Sequence, residues 1–386
     1  MKVHPALKTG ICQRFNSQVP VFGFAHSLPV VAAVTRAGGI GIWGATRNTP
    51  EEIRDGLAWL TEQVGDLPFG VDLVLPTGMP EKNDRGALEA RIPKPHRDFL
   101  DGLRSEYGVA NDHMSGKRSR FVRSQEMAEN QLQAVLESAV PIFAMGVGSP
   151  TEAVAQAKAR GKTVIALVGA PRHAHKALAA GADLLVAQGY EAGAHTGDIG
   201  TFALVPQIVE VAGDVPVVVA GGIGTGEHIA AALALGASGV WAGTAWLFAR
   251  EHETDPTVLK KLIEAGSADT VRSRADSGKT LRQIVTPWTE AWSRPDAPEP
   301  LAMPLQDILV GDFLGAVDRQ QIKPLMKSEA GQSVAYFSEE TDVAAIMTGL
   351  VERASQILDK MTQQRAATSS AAPAASTPKA PPITTS

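Results

Sequence analysis

The 386-residue chain contains a single cysteine, Cys12. An internal disulfide and a cysteine-rich metal site are therefore both excluded. No dense lysine or arginine block occurs and the formal net charge is −5, so nucleic acid is not an expected partner. No apolar run approaches the length of about 18 residues that reads as a membrane span. The opening MKVHPALKTGICQRF has no apolar signal-peptide core. These absences lead us to expect a soluble, cytoplasmic protein. Residues 363–386 have almost no large apolar side chains and are rich in Ala, Ser, Thr and Pro. Such a segment cannot offset its ordering entropy, and a disordered tail is expected there.

What the chain does have is a series of short apolar runs that end in small residues. There are eight: 19–25 (VPVFGFA), 39–45, 69–75, 140–146, 163–169, 183–189, 215–222 and 239–244. Continuous apolar character, rather than alternation, marks strands covered on both faces, as in parallel sheets. Helical patterns lie between them. In TPEEIRDGLAWLTEQV, Thr49 is placed to cap, Pro50 takes the first helical position and acids fill the first turn. Eight strand–helix units predict a closed (β/α)8 TIM barrel, with a doubly wound open sheet as the alternative.

Two long gaps break the rhythm, and neither can be a structureless loop. The expected layout is a barrel core over 1–75 and 140–250, an insertion over 76–139 acting as a lid, and a substrate-side addition over 251–340. A closing helix is expected over 341–362. The additions after strands three and eight should be helical. The charged composition of 76–139 suits a mobile cover.

Active sites of such barrels lie at the C-terminal ends of the strands. Here those ends read Gly23-Phe24-Ala25, Gly44-Ala45, Gly146, Gly169, Gln188-Gly189, Gly221-Gly222 and Gly243-Thr244. A mouth lined by such small residues leaves a floor for a flat ligand. The glycine-rich turns after strands seven and eight occupy the usual phosphate site of the fold. GGIGTGE fits neither the dinucleotide fingerprint nor a Walker loop. A flat floor beside one phosphate cup suggests flavin mononucleotide (FMN). His195, in EAGAHTG, follows the sixth strand with no apolar wall to bury it, and its ordinary pKa of about 6.5 suits a general base.

Weaker candidates remain. Asp72 ends the third strand at the mouth, where a carboxylate can accept a flavin ring N–H. His26 lies just past the first strand and is a candidate for the substrate pocket. Glu191 either orients His195 or caps a turn. His173 and His175 sit two apart on a helix start and do not read as metal ligands. Lys279 and Arg282 read as solvated surface charges.

The stretch AQGYEAGAHTG, followed by VVVAGGIGTGEHIAAALALGASGVWAGTAW, resembles the nitronate monooxygenase (2-nitropropane dioxygenase) family of FMN-dependent TIM barrels. The resemblance implies that Gln188 and Gly193 contact the flavin. It implies that Gly222 and the stretch Trp241-Ala242-Gly243-Thr244 hold its phosphate, with Gly221 in the same turn, and that His195 removes the proton α to a nitro group. The implied reaction oxidises nitronates or nitroalkanes with dioxygen. The sequence departs from the family pattern in having Gly193-Ala194 for Gly-Gly, FGFAHS for a first strand ending in Pro-Met, and Asp72 for Asn. Two alternatives stay open. One is an NAD(P)H-dependent FMN reductase of an enoyl thioester or quinone, and the other is a flavin-free barrel binding a phosphorylated metabolite. In each case the partner is a small molecule, and homo-oligomerisation is left open.

Overall fold

The computed structural model describes residues 3–370, apart from 76, 77, 147 and 149, with side chains described through 364. Strands β1 (Val21–Ala25), β2 (Ile40–Gly44), β3 (Phe69–Val74), β4 (Ile142–Gly146), β5 (Thr163–Val168) and β6 (Leu184–Gln188) run parallel and side by side. A two-residue strand, β7 (Ala194–His195), leaves the barrel, and β8 (Val217–Ala220) and β9 (Gly239–Ala242) complete it. Pairing of β9 with β1, Phe22 opposite Trp241, closes the ring. The fold is the (β/α)8 barrel that the spacing of apolar runs predicts.

Each strand is buried on both faces, and its side chains alternate between two cores. Phe22, Ile42, Ile142, Ile165, Val186, Val218 and Trp241 fill the barrel interior. Val21, Val71, Phe143, Val164, Leu185, Val219 and Val240 face the surrounding helices. The Thr49 cap forms as a reciprocal box: Thr49 Oγ1 accepts from Glu52 N at 3.3 Å and Glu52 Oε2 accepts from Thr49 N at 2.9 Å.

The helices of the barrel show where the two gaps belong. Residues Gln125–Glu137 form the helix between β3 and β4, so the extra chain in the first gap ends before 125. The closing helix, Val343–Ser370, packs on Gly226–Ala234 and on Leu28–Arg36 and serves as the eighth barrel helix. The expected tail from 371 onward lies outside the described residues. Everything between β9 and residue 343 is thus an elaborated loop at the mouth. It contributes β10 (Thr270–Ser273) and β11 (Leu281–Ile284), which form a three-stranded sheet in the order β10-β11-β7.

The two additions share one core. Leu88, Leu100, Leu103 and Val122 from the first pack with Leu262, Trp288, Phe313 and Val317 from the second. A glycine contact joins them: a Cβ on Gly116 would sit 2.0 Å from Gly311 O, on helix Leu305–Arg319. The first addition was expected as a mobile cover because of its charges. Its few leucines are instead spent on a buried seam with the second, so the two together form a single cap.

Candidate active site

His195 is positioned by the cap as much as by the barrel. In β7 it lies opposite Leu281 of β11, and Ala194 lies opposite Arg282. Gln188, at the end of β6, donates from Nε2 to the His195 carbonyl at 3.0 Å. The imidazole Nε2 lies 2.9 Å from Oγ of Ser277, which is fully buried. Ser277 Oγ in turn donates to the Lys279 carbonyl at 3.3 Å. With its proton so directed, Oγ accepts from Nε2–H, and Nδ1 keeps the lone pair. Nδ1 has no hydrogen-bond partner among the described residues. Burial, then the positive charges of Arg123 and Arg118, push the His195 pKa down to about 4. The ring is therefore neutral at pH 7. Ala194 holds a left-handed backbone, φ +57°, where the family pattern has glycine.

Opposite, His26 has Nδ1 2.6 Å from the Gly44 carbonyl and stands edge-on to Phe24 with ring centroids 5.3 Å apart. Its side chain stays accessible to solvent while protein crowds around it. Burial, the largest influence on it, lowers its pKa. Phe22 and Phe24 stack on Trp241, at 5.7 and 5.9 Å, and form the floor. At Gly146 an added Cβ would meet nothing within 4 Å, and at Gly243 only the Phe24 carbonyl at 3.9 Å. The clearance expected for a flat ligand is present at these two strand ends. Asp72 is buried inside the barrel, and its Oδ2 has no partner. Burial raises its pKa to about 7.

Other predicted positions are used differently. Gly23 is small for a packing reason, since a Cβ there would fall 2.6 Å from Val34. The side chains of Ala25 and Ala242 face the outer helices. The Trp241 side chain fills the barrel, leaving the backbone of Gly243 and Thr244 at the mouth. Thr244 Oγ1 accepts from Gly331 N at 2.9 Å. Gly193 abuts the same segment, a Cβ there lying 2.7 Å from Gly331 N. Gly221 and Gly222 have φ of +96° and +76°, a turn that only glycine takes cheaply. Glu191 does not orient His195. Its Oε2 accepts from Thr201 N at 2.8 Å and Thr201 Oγ1 at 2.6 Å, at the start of helix Thr201–Ala212.

Arg282 is not a solvated charge. It is buried, donates from Nη2 to the Tyr190 carbonyl at 3.1 Å and from Nη1 to Thr270 Oγ1 at 3.0 Å, and lies 4.6 Å over the Tyr190 ring. Pairing of β11 with β7 covers it. Lys279 is half-buried beside Ser277. His173 and His175 lie on helix Pro171–Ala180, away from the mouth.

Sequence reasoning missed Ser277 and the cations of the cap. Arg47 pairs with buried Asp307 at 3.0 Å, and its Nη1 donates to the Arg118 carbonyl at 3.1 Å. Arg118 pairs with Glu329 and, at 3.4 Å, with Asp276. Nothing in KRSRFVR, 117–123, distinguishes these side chains from a solvated face.

The profile of the nitronate monooxygenase family matches residues 8–363. The chain belongs to the nitronate monooxygenase family. Its similarity to a candidate monooxygenase of Mycobacterium tuberculosis is 39% identity over 363 residues, covering 90% of this chain and 96% of that one. The nitroalkane oxidase of Streptomyces ansochromogenes is similar in structure, with a TM-score of 0.76, 28% identity and coverage of 89% and 98% of the two chains. FabK of Thermotoga maritima is similar with a TM-score of 0.72, 26% identity and coverage of 92% and 99%. This family member is an enzyme, a flavin-dependent oxidoreductase acting on a small molecule. Among the described residues no helix is long and apolar enough to cross a membrane.

The residues present fit a flavin. A ring system needs open floor, which Gly146 and Gly243 provide. Its N–H groups need an acceptor, which the orphaned Asp72 Oδ2 offers. A phosphate needs unhindered backbone, and at Gly222 a Cβ would meet nothing nearer than Glu191 Cβ at 3.6 Å.

Proposed function

We propose that this enzyme binds FMN noncovalently and oxidises a nitronate, or its parent nitroalkane, with dioxygen. The observation that carries this reading is an imidazole in the loop after the sixth barrel strand, its Nε2 held by Ser277 and its Nδ1 without a partner among the described residues. Gln188, Asp72, Gly222, Gly243 and Thr244 are the residues that would hold the cofactor. When bound, FMN supplies electron acceptance and the onward reduction of dioxygen.

The chain's own part is to handle the proton and the negative charge. His195 Nδ1 takes the proton from the carbon α to the nitro group, while Ser277 keeps the ring from turning. A base with a pKa of about 4 would be a poor match for a carbon acid in water. The charges that weaken the base also favour the product. Arg123 and Arg118 disfavour the imidazolium and stabilise the nitronate anion formed beside it, so the pair of charges forms together. A substrate supplied as the nitronate needs no base.

The test is to release the chromophore by heat and weigh it, and then to mix loaded enzyme anaerobically with a nitronate, NADH, NADPH and an enoyl-CoA in turn. FMN should be released, and the nitronate should bleach the flavin. Released FAD would overturn the cofactor assignment. Bleaching by NADH or NADPH followed by reoxidation with enoyl-CoA, and none by nitronate, would make the enzyme a reductase.

A further inference from the structure

The cap brings more cations to the mouth than carboxylates to pair them. Arg47 is matched by Asp307, and Arg118 and Lys327 by Asp276 and Glu329. Lys117, Arg123 and Lys279 have no ion pair among the described residues. Arg123 is the most exceptional. Its Nε is buried without a partner, and its one hydrogen bond runs from Nη1 to the Met303 sulfur at 3.8 Å. A thioether is a weak acceptor and does nothing for the charge. The neighbouring acid, Asp307, gives its Oδ1 to Arg47; its Oδ2 is buried and unpartnered, so its charge reaches Arg123 only through space.

A partly buried guanidinium without a counterion is costly to keep. Burial and the charge of Arg47, partly opposed by Asp307, lower its pKa to about 9. It still carries its charge at pH 7, and no hydrogen bond to a described group offsets it. Of the charges around His195, that of Arg123 acts on it most strongly. Geometry places it there too: Arg123 touches Met303, and a Cβ on Gly278, between Ser277 and Lys279, would lie 2.9 Å from Met303 N. Arg123 and Lys279 therefore flank the contact between Ser277 and His195.

We propose that Arg123, with Lys279 beside it, forms a subsite for an anionic substituent of the substrate, a carboxylate or phosphate separate from the reacting carbon. This rests on the mouth being the substrate site, as in the proposed function, but not on the substrate being a nitronate. The guanidinium binds an oxyanion through two parallel N–H donors. The anion supplies the counter-charge that the cap withholds. A substrate bearing such a group is oriented at both ends, with its reactive carbon at His195 and its anion at the cap.

The subsite is tested by equilibrium binding without turnover. Flavin-loaded enzyme is titrated with pentanoate, butyl phosphate and pentanamide, and the flavin absorbance change is read. Wild type should bind at least one of the two anions about 10-fold or more tightly than the amide, and which anion it prefers separates carboxylate from phosphate recognition. Equal binding of all three probes by wild type would overturn the proposal without any variant. Arg123→Gln should abolish the preference and leave amide binding unchanged, while Arg123→Lys should retain part of it. Arg123→Gln that keeps the anion preference, or loses anion and amide affinity equally, would overturn the assignment to Arg123. Because no probe is a nitro compound, a positive result stands even if nitronate oxidation fails.

Discussion

Nε2 of His195 and Oγ of Ser277 lie 2.9 Å apart although 82 residues separate them in the chain. The base candidate comes from the barrel's sixth loop, and the hydroxyl that holds it comes from the cap. The orientation of the imidazole is therefore a property of two structural layers in contact.

Replacing His195 by Asn keeps a polar side chain but removes the base. General base catalysis contributes about 10²- to 10⁴-fold in rate. A loss of that order is expected in kcat/KM for a neutral nitroalkane, with a much smaller loss for its nitronate and no loss of flavin. Steady-state oxygen uptake on the two substrates measures this. Equal losses would assign His195 to binding the anion.

Ser277→Ala should act through His195 rather than on its own. It frees the ring to turn and leaves Nε2 without its buried partner. We expect a loss of roughly 10-fold on the neutral substrate, in line with loosening a supporting hydrogen bond of about 1.4 kcal/mol. The nitronate rate should hold, and unequal effects on the two substrates are the reading that matters.

With His195 as the proposed base, its lowered pKa should set the acid limb of the pH profile. The ring accepts a proton only when neutral, so turnover of the neutral substrate is lost as pH falls through about 4, not through the ordinary value near 6.5. Arg123→Gln removes the charge that most depresses it, and the limb should move upward. A wild-type limb at 6.5 in kcat/KM would contradict the burial described for this ring.

Asp72 makes a prediction of the opposite sign. Its folded-state pKa of about 7 stands above the ordinary carboxylate value near 4. The stability associated with its neutral form is fully present below about pH 4 and is lost as pH rises to about 7. In the flavin-free protein, Asp72→Asn should out-melt wild type by clearly more at pH 8 than at pH 5. Parallel melting curves at the two pH values would show that the carboxylate has a partner when ionised.

Ala194 pays for a left-handed backbone with a side chain. Ala194→Gly should raise stability by about 0.5–1 kcal/mol, because glycine takes φ +57° without the steric cost. Urea denaturation measures the change.

The barrel was legible because its strands are buried on both faces, which writes them as unbroken apolar runs such as TVIALV and VPVVVA. The candidacy of His195 rests on a similar trace in one dimension: small residues around a lone imidazole. What surrounds it was not legible. Ser277 lies in RADSGKT, a stretch with no pattern to mark it, and becomes significant only when β11 pairs with β7. The same pairing buries Arg282, which reads as surface from its neighbours alone. Gly23 looked like part of the mouth because it ends a strand, but alternation turns it toward Val34. Local composition records burial well and records long-range partners hardly at all.

The eighth barrel helix, Val343–Ser370, follows β9 only after the whole second addition has intervened. It covers the outside of the junction where β9 meets β1, with Met347 against Gly39 and contacts to helix Leu28–Arg36. On a ribosome adding about 5–20 residues each second, the roughly hundred residues between strand and helix take several seconds to emerge. For that interval helix Leu28–Arg36 and the closing strand pair present an apolar flank to solvent or to a chaperone. That flank stays uncovered until helix Val343–Ser370 has emerged behind the whole second addition.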